Sequence, residues 1–359
     1  MVSTEEERLA REAIQADAQF VSSVDPDKAS IAGMSIAPFY SLFIYEARSA
    51  LVELGDNPRL LPADAERQLA KSRHTVKLFE DTKRYIEGQV AHMRDTLIPA
   101  HRDAFLNKTW LPIARWLESD LGIWALDRQL FTTTHTVFFS MGAPDELMKD
   151  LPRLGIYARQ MGWVYGREFR QLAGTTQPSC NAWLLADKRL DRARDRRSEK
   201  VYAACFNGST TSDLNAMLTA HLALVRTARD GFGCSHPSGE CYTRFKIRYL
   251  ALFQVYDSLS RLERDPNYAL TPISAHRLRS IANSNAPRLT SGRPARSLRN
   301  TLVHYIPRVK PSVQLTGRLL DDLLLASGFT EHLTDVEASV DIELDRITNE
   351  LLQWCGRPW

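Results

Sequence analysis

The stretch TDVEASVDIELDRITNELLQW, residues 334–354, carries the clearest helical pattern of the chain. Its apolar residues recur every three or four positions, which places them on one face of an α-helix. Thr334 followed by Glu337 has the spacing of a capping box, so we expect the helix to begin there. The buried face is expected to comprise Val336, Val340, Leu344, Ile347, Leu351 and Trp354. A helix with such a face needs neighbouring helices to cover it.

The segments before this helix repeat the same periodicity, over about residues 213–230 and 243–264. No run of alternating β-branched residues is long enough to demand a sheet. We therefore predict an all-α fold with an antiparallel helical bundle at residues 211–359. A second helical domain of unknown role is expected at residues 1–180, joined to the bundle by a charged helix and linker at residues 181–210.

An aromatic-rich part of the chain lies between residues 110 and 139. Such side chains either pack in a core or stack on the bases of a nucleic acid. Few basic residues lie among them, so we favour core packing. The aromatic residues concerned are Trp110, Trp116, Trp124, Phe131, Phe138 and Phe139.

Composition places the chain in a reducing compartment. Its five cysteines are odd in number and irregularly spaced, which argues against a secreted disulfide framework. The N-terminus is polar and acidic, unlike a signal peptide. The most apolar run, residues 35–47, is too short to span a bilayer and carries Glu46. We expect a cytoplasmic protein without a membrane partner.

Metal and cofactor chemistry are not expected. Cys234, His236 and Cys241 provide three possible zinc ligands, but their spacing fits no usual zinc pattern and no fourth ligand is evident. The chain has no phosphate-binding loop and no glycine-rich dinucleotide motif. We interpret the cysteine–histidine group as a polar turn between two helices.

The chain is locally basic although its net charge is only +3. Between Asp265 and Asp321 there is no acidic residue. Such a stretch produces a positive field that suits an anionic partner such as a nucleic-acid backbone. A solvated basic loop is the alternative. The basic side chains in the middle of this stretch are Arg288, Arg293, Arg296, Arg299, Arg308 and Lys310.

Residues 298–305, LRNTLVHY, combine groups that suit RNA cleavage without a metal. Histidine can take the proton of a ribose 2′-hydroxyl or give one to the leaving 5′-oxygen. The guanidinium group of arginine donates two hydrogen bonds to phosphate oxygens. Asn300 and His304 fall on one helical face, whereas Arg299 lies on a different side of the helix. Its guanidinium reaches the imidazole only if the long side chain bends toward it or if the segment begins in a non-helical conformation. One histidine cannot easily be both acid and base, so a dimer is a reasonable solution.

Arg299, Asn300 and His304, late in a helical region and followed by a long terminal helix, resemble the motif of the HEPN superfamily (higher eukaryotes and prokaryotes nucleotide-binding domains). That motif is an arginine, four to six residues and a histidine, often with a polar residue after the arginine. The resemblance covers residues 210–359. It implies a homodimer through the C-terminal bundle and metal-independent endoribonuclease activity, as in many toxin–antitoxin and anti-phage systems.

The resemblance also implies which residues carry each role. Arg299, Asn300 and His304, which match the motif, would be catalytic. The positive charge of the acid-free stretch makes Arg288, Arg293, Arg296, Arg308 and Lys310 the expected RNA-binding residues. An antitoxin or other regulatory protein is a possible partner. In one toxin branch the antitoxin modifies a tyrosine two positions after the histidine. Ile306 occupies that position here, with Tyr305 directly after His304, so this control is not expected.

Two alternatives stay open. The first is a catalytically silent HEPN-like module that binds nucleotides or RNA. The second is a helical interaction scaffold, in which the basic stretch pairs with the acids of the terminal helix. Those acids are Asp335, Glu337, Asp341, Glu343 and Asp345.

Overall fold

The computed structural model describes residues 2–23, 35, 37–58, 63, 66–67, 69–73, 85–141, 169, 171, 191–192, 195–208, 211–231 and 241–356. Within these residues the fold is all-α, as predicted, because most of them are helical. In the same ranges no helix is both long enough and apolar enough to cross a membrane.

Six α-helices with described bounds lie in the first half of the described chain: α1 (Thr4–Ser23), α2 (Ala37–Glu53), α3 (Tyr85–His92), α4 (Ile98–Phe105), α5 (Thr134–Met141) and α6 (Ser198–Ala204). Residues 66–67 and 69–73 are also helical. A π-helical turn, Met93–Leu97, joins α3 to α4. The start of α1 is fixed by a capping box in which the Ser3 hydroxyl accepts from the Glu6 N–H and the Glu6 carboxylate accepts from the Ser3 N–H, at 3.3 and 2.9 Å.

The second half of the described chain contains seven α-helices: α7 (Ser212–Asp230), α8 (Tyr242–Leu262), α9 (Pro272–Ala282), α10 (Ala286–Thr290), α11 (Gly292–His304), α12 (Leu319–Ser327) and α13 (Leu333–Cys355). Helix α8 is buried on nearly every side, which is typical of a central helix. It packs against α1, α7, α9, α10, α11 and α13.

The terminal helix α13 confirms the predicted buried face, since Val336, Val340, Leu344, Ile347, Leu351 and Trp354 are at most 2% exposed. Its predicted N-cap, Thr334, is wrong by two residues. The helix begins at Leu333 with His332 as the N-cap, and no side chain caps it. Apolar spacing fixes the buried face of a helix more firmly than its exact end, where the last turn frays.

A small antiparallel sheet, which was not expected from the sequence, lies within the first group of helices in chain order, with two strands before α5 and one between α5 and α6. It consists of β1 (Ile123–Leu126), β2 (Gln129–Thr133) and β3 (Asp191–Arg192), in the order β2-β1-β3. Both residues of the β1–β2 turn, Asp127 and Arg128, have positive φ, as two-residue hairpins favour. Strands this short leave little periodic signal in a sequence.

Two expectations are corrected in this region. The stretch 187–200 was predicted as a charged helix, but Asp191–Arg192 pair with β1 and the helix begins only at Ser198. The aromatic residues were predicted to pack in a core. Phe131 does, yet Trp110 and Trp116 are largely exposed because they lie on a loop and a short 3₁₀ helix, Pro112–Leu117, that face solvent.

Helices from the start of the chain pack directly on the C-terminal helices. Helix α1 contacts α8 and α12, and α2 contacts α11. Buried residues of both parts belong to one hydrophobic cluster. The predicted domain boundary falls largely among residues outside the described ranges and stays a prediction. These contacts are what place N-terminal side chains beside the arginine–histidine motif.

Candidate active site

The arginine–histidine motif lies on α11. Leu298, Leu302 and Tyr305 are fully buried, so the face predicted to dock against other helices does so. The helix ends at His304, and Tyr305 adopts the left-handed conformation with φ of 67° while its N–H donates to the Thr301 carbonyl. Glycine usually occupies such a position, since a side chain there costs roughly 1–2 kcal/mol. Tertiary contacts must therefore hold Tyr305 in place.

Those contacts come from a buried polar cluster. The Tyr305 hydroxyl donates to Oδ2 of Asp17 in α1 at 2.6 Å, and Nζ of Lys246 in α8 lies 2.6 Å from the same oxygen. Thr243 donates to the other carboxylate oxygen at 2.7 Å. Asp17 and Lys246 are both fully buried, and a charge without a partner there would be costly. The cluster thus joins α1, α8 and the end of α11.

Aromatic rings surround the ammonium group of this cluster. Nζ of Lys246 lies 3.8 Å from the ring centre of Tyr305 and 4.4 Å from that of Phe43. Burial lowers the pKa of Lys246, and the charge of Asp17 opposes that effect. The ring faces add an attraction for the cation where water is excluded. This packing fixes the backbone that follows directly after His304.

His304 itself lies at the surface and contacts a buried carboxylate. Its side chain is 54% exposed, and Nδ1 is 2.7 Å from Oε2 of Glu46 in α2. The other carboxylate oxygen, Oε1, accepts from Nε and Nη2 of Arg73 at 2.8 and 2.7 Å. The Glu46 and Arg73 side chains are both less than one-tenth exposed. A buried ion pair therefore supports an exposed imidazole.

The charge state of Glu46 determines how the imidazole is held. Burial by itself raises the pKa of Glu46, but the hydrogen bond from His304 and the charge of Arg73 outweigh it, so the pKa lies below its ordinary value. An ionised carboxylate only accepts hydrogen bonds, so Nδ1 of His304 carries the hydrogen of this contact. In the neutral ring this leaves Nε2 as the basic nitrogen.

Arg299 and Asn300 form a separate contact on the same helix. Nη1 of Arg299 donates to Oδ1 of Asn300 at 3.0 Å at the protein surface. Five residues of α-helix rotate the chain by about 140° net, so Arg299 and His304 project from different sides of α11. The structure thus pairs Arg299 with Asn300, and His304 with Glu46 and Arg73.

The predicted RNA-binding residues are exposed at the two ends of the motif helix. Arg293 and Arg296 lie in its first turns, and Arg308 and Lys310 follow its end. Arg296 donates to the Gly292 carbonyl at 3.3 Å. Arg288 is 3.7 Å from Glu331, which lies outside the acid-free stretch. These side chains are placed to present positive charge to solvent.

Three acids of α13, Asp341, Glu343 and Asp345, pair with arginines outside the acid-free stretch. Asp341 lies 2.5 Å from Arg248 and 3.3 Å from Arg244. Glu343 pairs with Arg346 and Asp345 with Arg229, at 2.9 and 3.8 Å. These arginines lie outside the stretch 266–320. Arg277, which lies inside it, pairs with Glu350 of α13 at 2.8 Å, so an ion pair does join that stretch to the terminal helix, as the scaffold alternative requires.

Glu46 and Arg73 were not recognised as site residues from the sequence. Glu46 was noted only as a charge in the most apolar run, yet a lone acid in an apolar helix must find a partner once buried. That rule could have marked Glu46 as a functional or structural centre. It could not have named His304, which lies 258 residues further along the chain.

The described residues contain no group of three or more His, Cys, Asp or Glu side chains placed to hold a metal ion. Cys234 and His236 lie outside them. Comparisons of the chain with protein-family models, with curated proteins and with solved structures find no match.

Proposed function

We propose that the chain is a metal-independent endoribonuclease of the HEPN type that cleaves RNA by attack of the ribose 2′-hydroxyl. The observation that carries the proposal is the exposed His304 imidazole, whose Nδ1 is held by a buried and ionised Glu46. Geometry of this kind fixes the tautomer and the direction of a catalytic histidine in other enzymes. A surface histidine without a function would not need to be held by such a contact.

In the proposed reaction Nε2 of His304 takes the proton of the 2′-hydroxyl, and Glu46 stabilises the imidazolium that forms. The 2′-oxygen then bonds to phosphorus and the bond to the 5′-oxygen breaks. The products are a 2′,3′-cyclic phosphate and a 5′-hydroxyl end, once the 5′-oxygen has received a proton. Asn300 would contact the phosphate oxygens on which negative charge develops, and Arg299, which projects from another side of α11, would reach them from a second copy of the chain.

A second copy of the chain would supply the proton for the leaving 5′-oxygen. We infer a homodimer through the C-terminal helices, because one imidazole cannot hold a proton and accept one at the same moment. The RNA backbone would lie along Arg288, Arg293, Arg296, Arg308 and Lys310. A role as a toxin or anti-phage effector, with an antitoxin or other regulatory partner, follows from the family resemblance.

The test uses a labelled RNA oligonucleotide incubated with the full-length protein in a metal chelator. We expect cleavage with cyclic phosphate ends, and no cleavage of the same strand after replacement of each 2′-hydroxyl by hydrogen. Equal cleavage of the two strands, or cleavage that disappears in chelator, would contradict the proposal.

A second candidate function is RNA binding without cleavage. It is favoured by the placement of Arg299, which bonds Asn300 and projects away from His304. In that case the protein would retain RNA in a filter assay with a strong dependence on salt, and intact RNA would be recovered. Replacing His304 by alanine would then leave the retained RNA unchanged.

A further inference from the structure

A loop at residues 106–118, called the tryptophan loop here, exposes large apolar side chains to solvent. Trp110 and Ile113 are each 82% exposed, Trp116 69% and Leu117 63%. At about 150–250 Å² per aromatic side chain, the two tryptophans alone expose roughly 300 Å². Monomeric proteins seldom leave a contiguous apolar patch much larger than this without a function for it.

The tryptophan loop is organised by its own hydrogen bonds. The Glu118 carboxylate accepts from the backbone N–H groups of Asn107 and Thr109, and Nε of Arg115 donates to the Thr109 carbonyl at 3.2 Å. Arg197, from the start of α6, donates to the carbonyls of Glu118 and Arg115. The backbone hydrogen bond from Thr109 contributes most to lowering the pKa of Glu118 to about 2. These hydrogen bonds thus fix the conformation of the loop that carries the exposed apolar side chains.

The 3₁₀ helix Pro112–Leu117 arranges these side chains in a row. Residues three apart eclipse each other in a 3₁₀ helix, which puts Ile113 and Trp116 on one edge. Trp110 precedes them by the same spacing. The loop therefore offers an apolar edge of Ile113 and Trp116, with the exposed Trp110 and Leu117 close to it in the chain.

The charges around this edge are positive. Between Asp103 and Glu118 there is no acidic residue, whereas Lys108 and Arg115 are exposed. The Glu118 carboxylate is turned inward to the backbone of the loop. A partner that meets the loop therefore meets apolar and cationic groups together.

We propose that the tryptophan loop docks on the surface of an anionic lipid bilayer. Tryptophan favours the membrane–water interface, isoleucine and leucine gain by entering the acyl region, and basic residues attract anionic headgroups. Single-stranded RNA would stack on Trp110 and Trp116, yet it would leave Ile113 and Leu117 exposed. A stable protein interface needs about 800 Å² from each partner, more than this edge supplies.

This inference is independent of the proposed ribonuclease activity. It also differs from the expectation of no membrane partner, which rested on the absence of an apolar span and of a signal peptide. A loop that binds at the headgroup level needs neither.

The test is flotation of the full-length protein with vesicles of phosphatidylglycerol and phosphatidylcholine, and with vesicles of phosphatidylcholine alone. We expect binding to the anionic vesicles that is about tenfold or more weaker for the double variant Trp110→Ala/Trp116→Ala. The matched control is Ile273→Ala/Ile342→Ala, which removes apolar groups that are 55% and 64% exposed elsewhere. It should bind as the unaltered protein does, and Lys108→Glu should weaken binding to the anionic vesicles.

Absence of binding to anionic vesicles, or equal binding by the tryptophan variant, overturns the proposal. Thermal unfolding of the variants, expected to be unchanged because the altered side chains are exposed, verifies that each is folded. If the tryptophan variant loses RNA binding or self-association while vesicles are not bound, the surface belongs to RNA or to a second copy, and the lipid proposal falls.

Discussion

Two histidine sites of the chain have similar chemistry and opposite surroundings. His304 is exposed and hydrogen-bonded to a buried carboxylate. His135 is fully buried, with Nε2 3.1 Å from the Asp120 carbonyl and Nδ1 3.0 Å from the Tyr202 hydroxyl. The ring of His101, also buried, packs edge-on against His135 with 4.4 Å between the ring centres. The His304 ring bonds the protein through Nδ1 at an exposed position, whereas His135 uses both ring nitrogens inside the protein.

The difference shows that burial decides what a histidine can do. Burial lowers the pKa of His101 to about 4 and that of His135 well below its ordinary value, so both rings stay neutral. Ser198 and Tyr202 complete a group with a catalytic composition, yet they lie in the same buried cluster around Asp120. We interpret the His101–His135 pair as structural and His304 as functional.

The largest expected effect is a difference in folding stability between variants of His135 and of His304. His135→Ala should lower the free energy of unfolding by about 3–5 kcal/mol, because it leaves a cavity and unpaired polar groups at Asp120 and Tyr202. His304→Ala should change it by about 1 kcal/mol or less, since the ring is half exposed. Urea unfolding of both variants measures this. Equal losses of unfolding free energy would mean that both histidines are structural.

The next largest effect is expected on the rate of RNA cleavage when Glu46 is replaced. Glu46→Gln should lower the rate of RNA cleavage about 100-fold, since an amide no longer fixes the Nδ1–H tautomer or stabilises the imidazolium. Glu53→Gln, an exposed carboxylate on the same helix, is the matched control and should keep the full rate. A rate unchanged by Glu46→Gln would separate Glu46 from the chemistry.

The third effect is a pH dependence of stability that belongs to the buried site. The pKa of His101 is about 4 when folded and ordinarily 6.5, so the unfolded chain binds more protons between these values. The contribution of His101 to stability is therefore fully present above pH 6.5 and is lost as the pH falls toward 4, by about 2 kcal/mol between pH 7 and pH 5. The buried His221, whose pKa is also lowered to about 4 by burial, adds a loss of its own in the same range. Urea unfolding at both pH values should show a smaller loss for His101→Phe. An equal loss would assign the dependence to other groups.

The smallest effect is expected at the basic side chains beside the exposed site. Arg308→Ala/Lys310→Ala should weaken RNA binding about tenfold and lower the slope of log affinity against log salt by roughly 2. The control is Arg264→Ala/Lys200→Ala, which removes the same charge from exposed positions outside the acid-free stretch. If both pairs lower the slope alike, the acid-free stretch is not the RNA-binding surface.

Features that depend on local spacing were predictable from the sequence. The buried face of α13 follows from apolar residues three and four apart, and the docking of Leu298 and Leu302 follows from the same rule. The start of α13 was missed by two residues because its N-cap is His332, which is not among the preferred N-cap residues and makes no capping hydrogen bond. At the exposed site His304 was named from the sequence, but Glu46 and Arg73, which hold it, were not.

Features that depend on distant contacts were not predictable. The pairing of Glu46 with His304 joins residues 258 positions apart. Tyr305 in the left-handed conformation depends on Asp17 and Lys246, which no local pattern connects to it. Trp110 and Trp116 were assigned to a core because aromatic residues usually pack there, whereas a loop built around Glu118 holds them outward.

The central claim is that the His304 imidazole transfers a proton in RNA cleavage. The most direct test is the cleavage rate of one RNA strand in chelator by the unaltered protein, by His304→Ala and by His276→Ala, which removes an exposed histidine elsewhere. We predict a rate lowered by about 10²- to 10⁴-fold for His304→Ala and an unchanged rate for His276→Ala. Equal rates for all three proteins would contradict the claim.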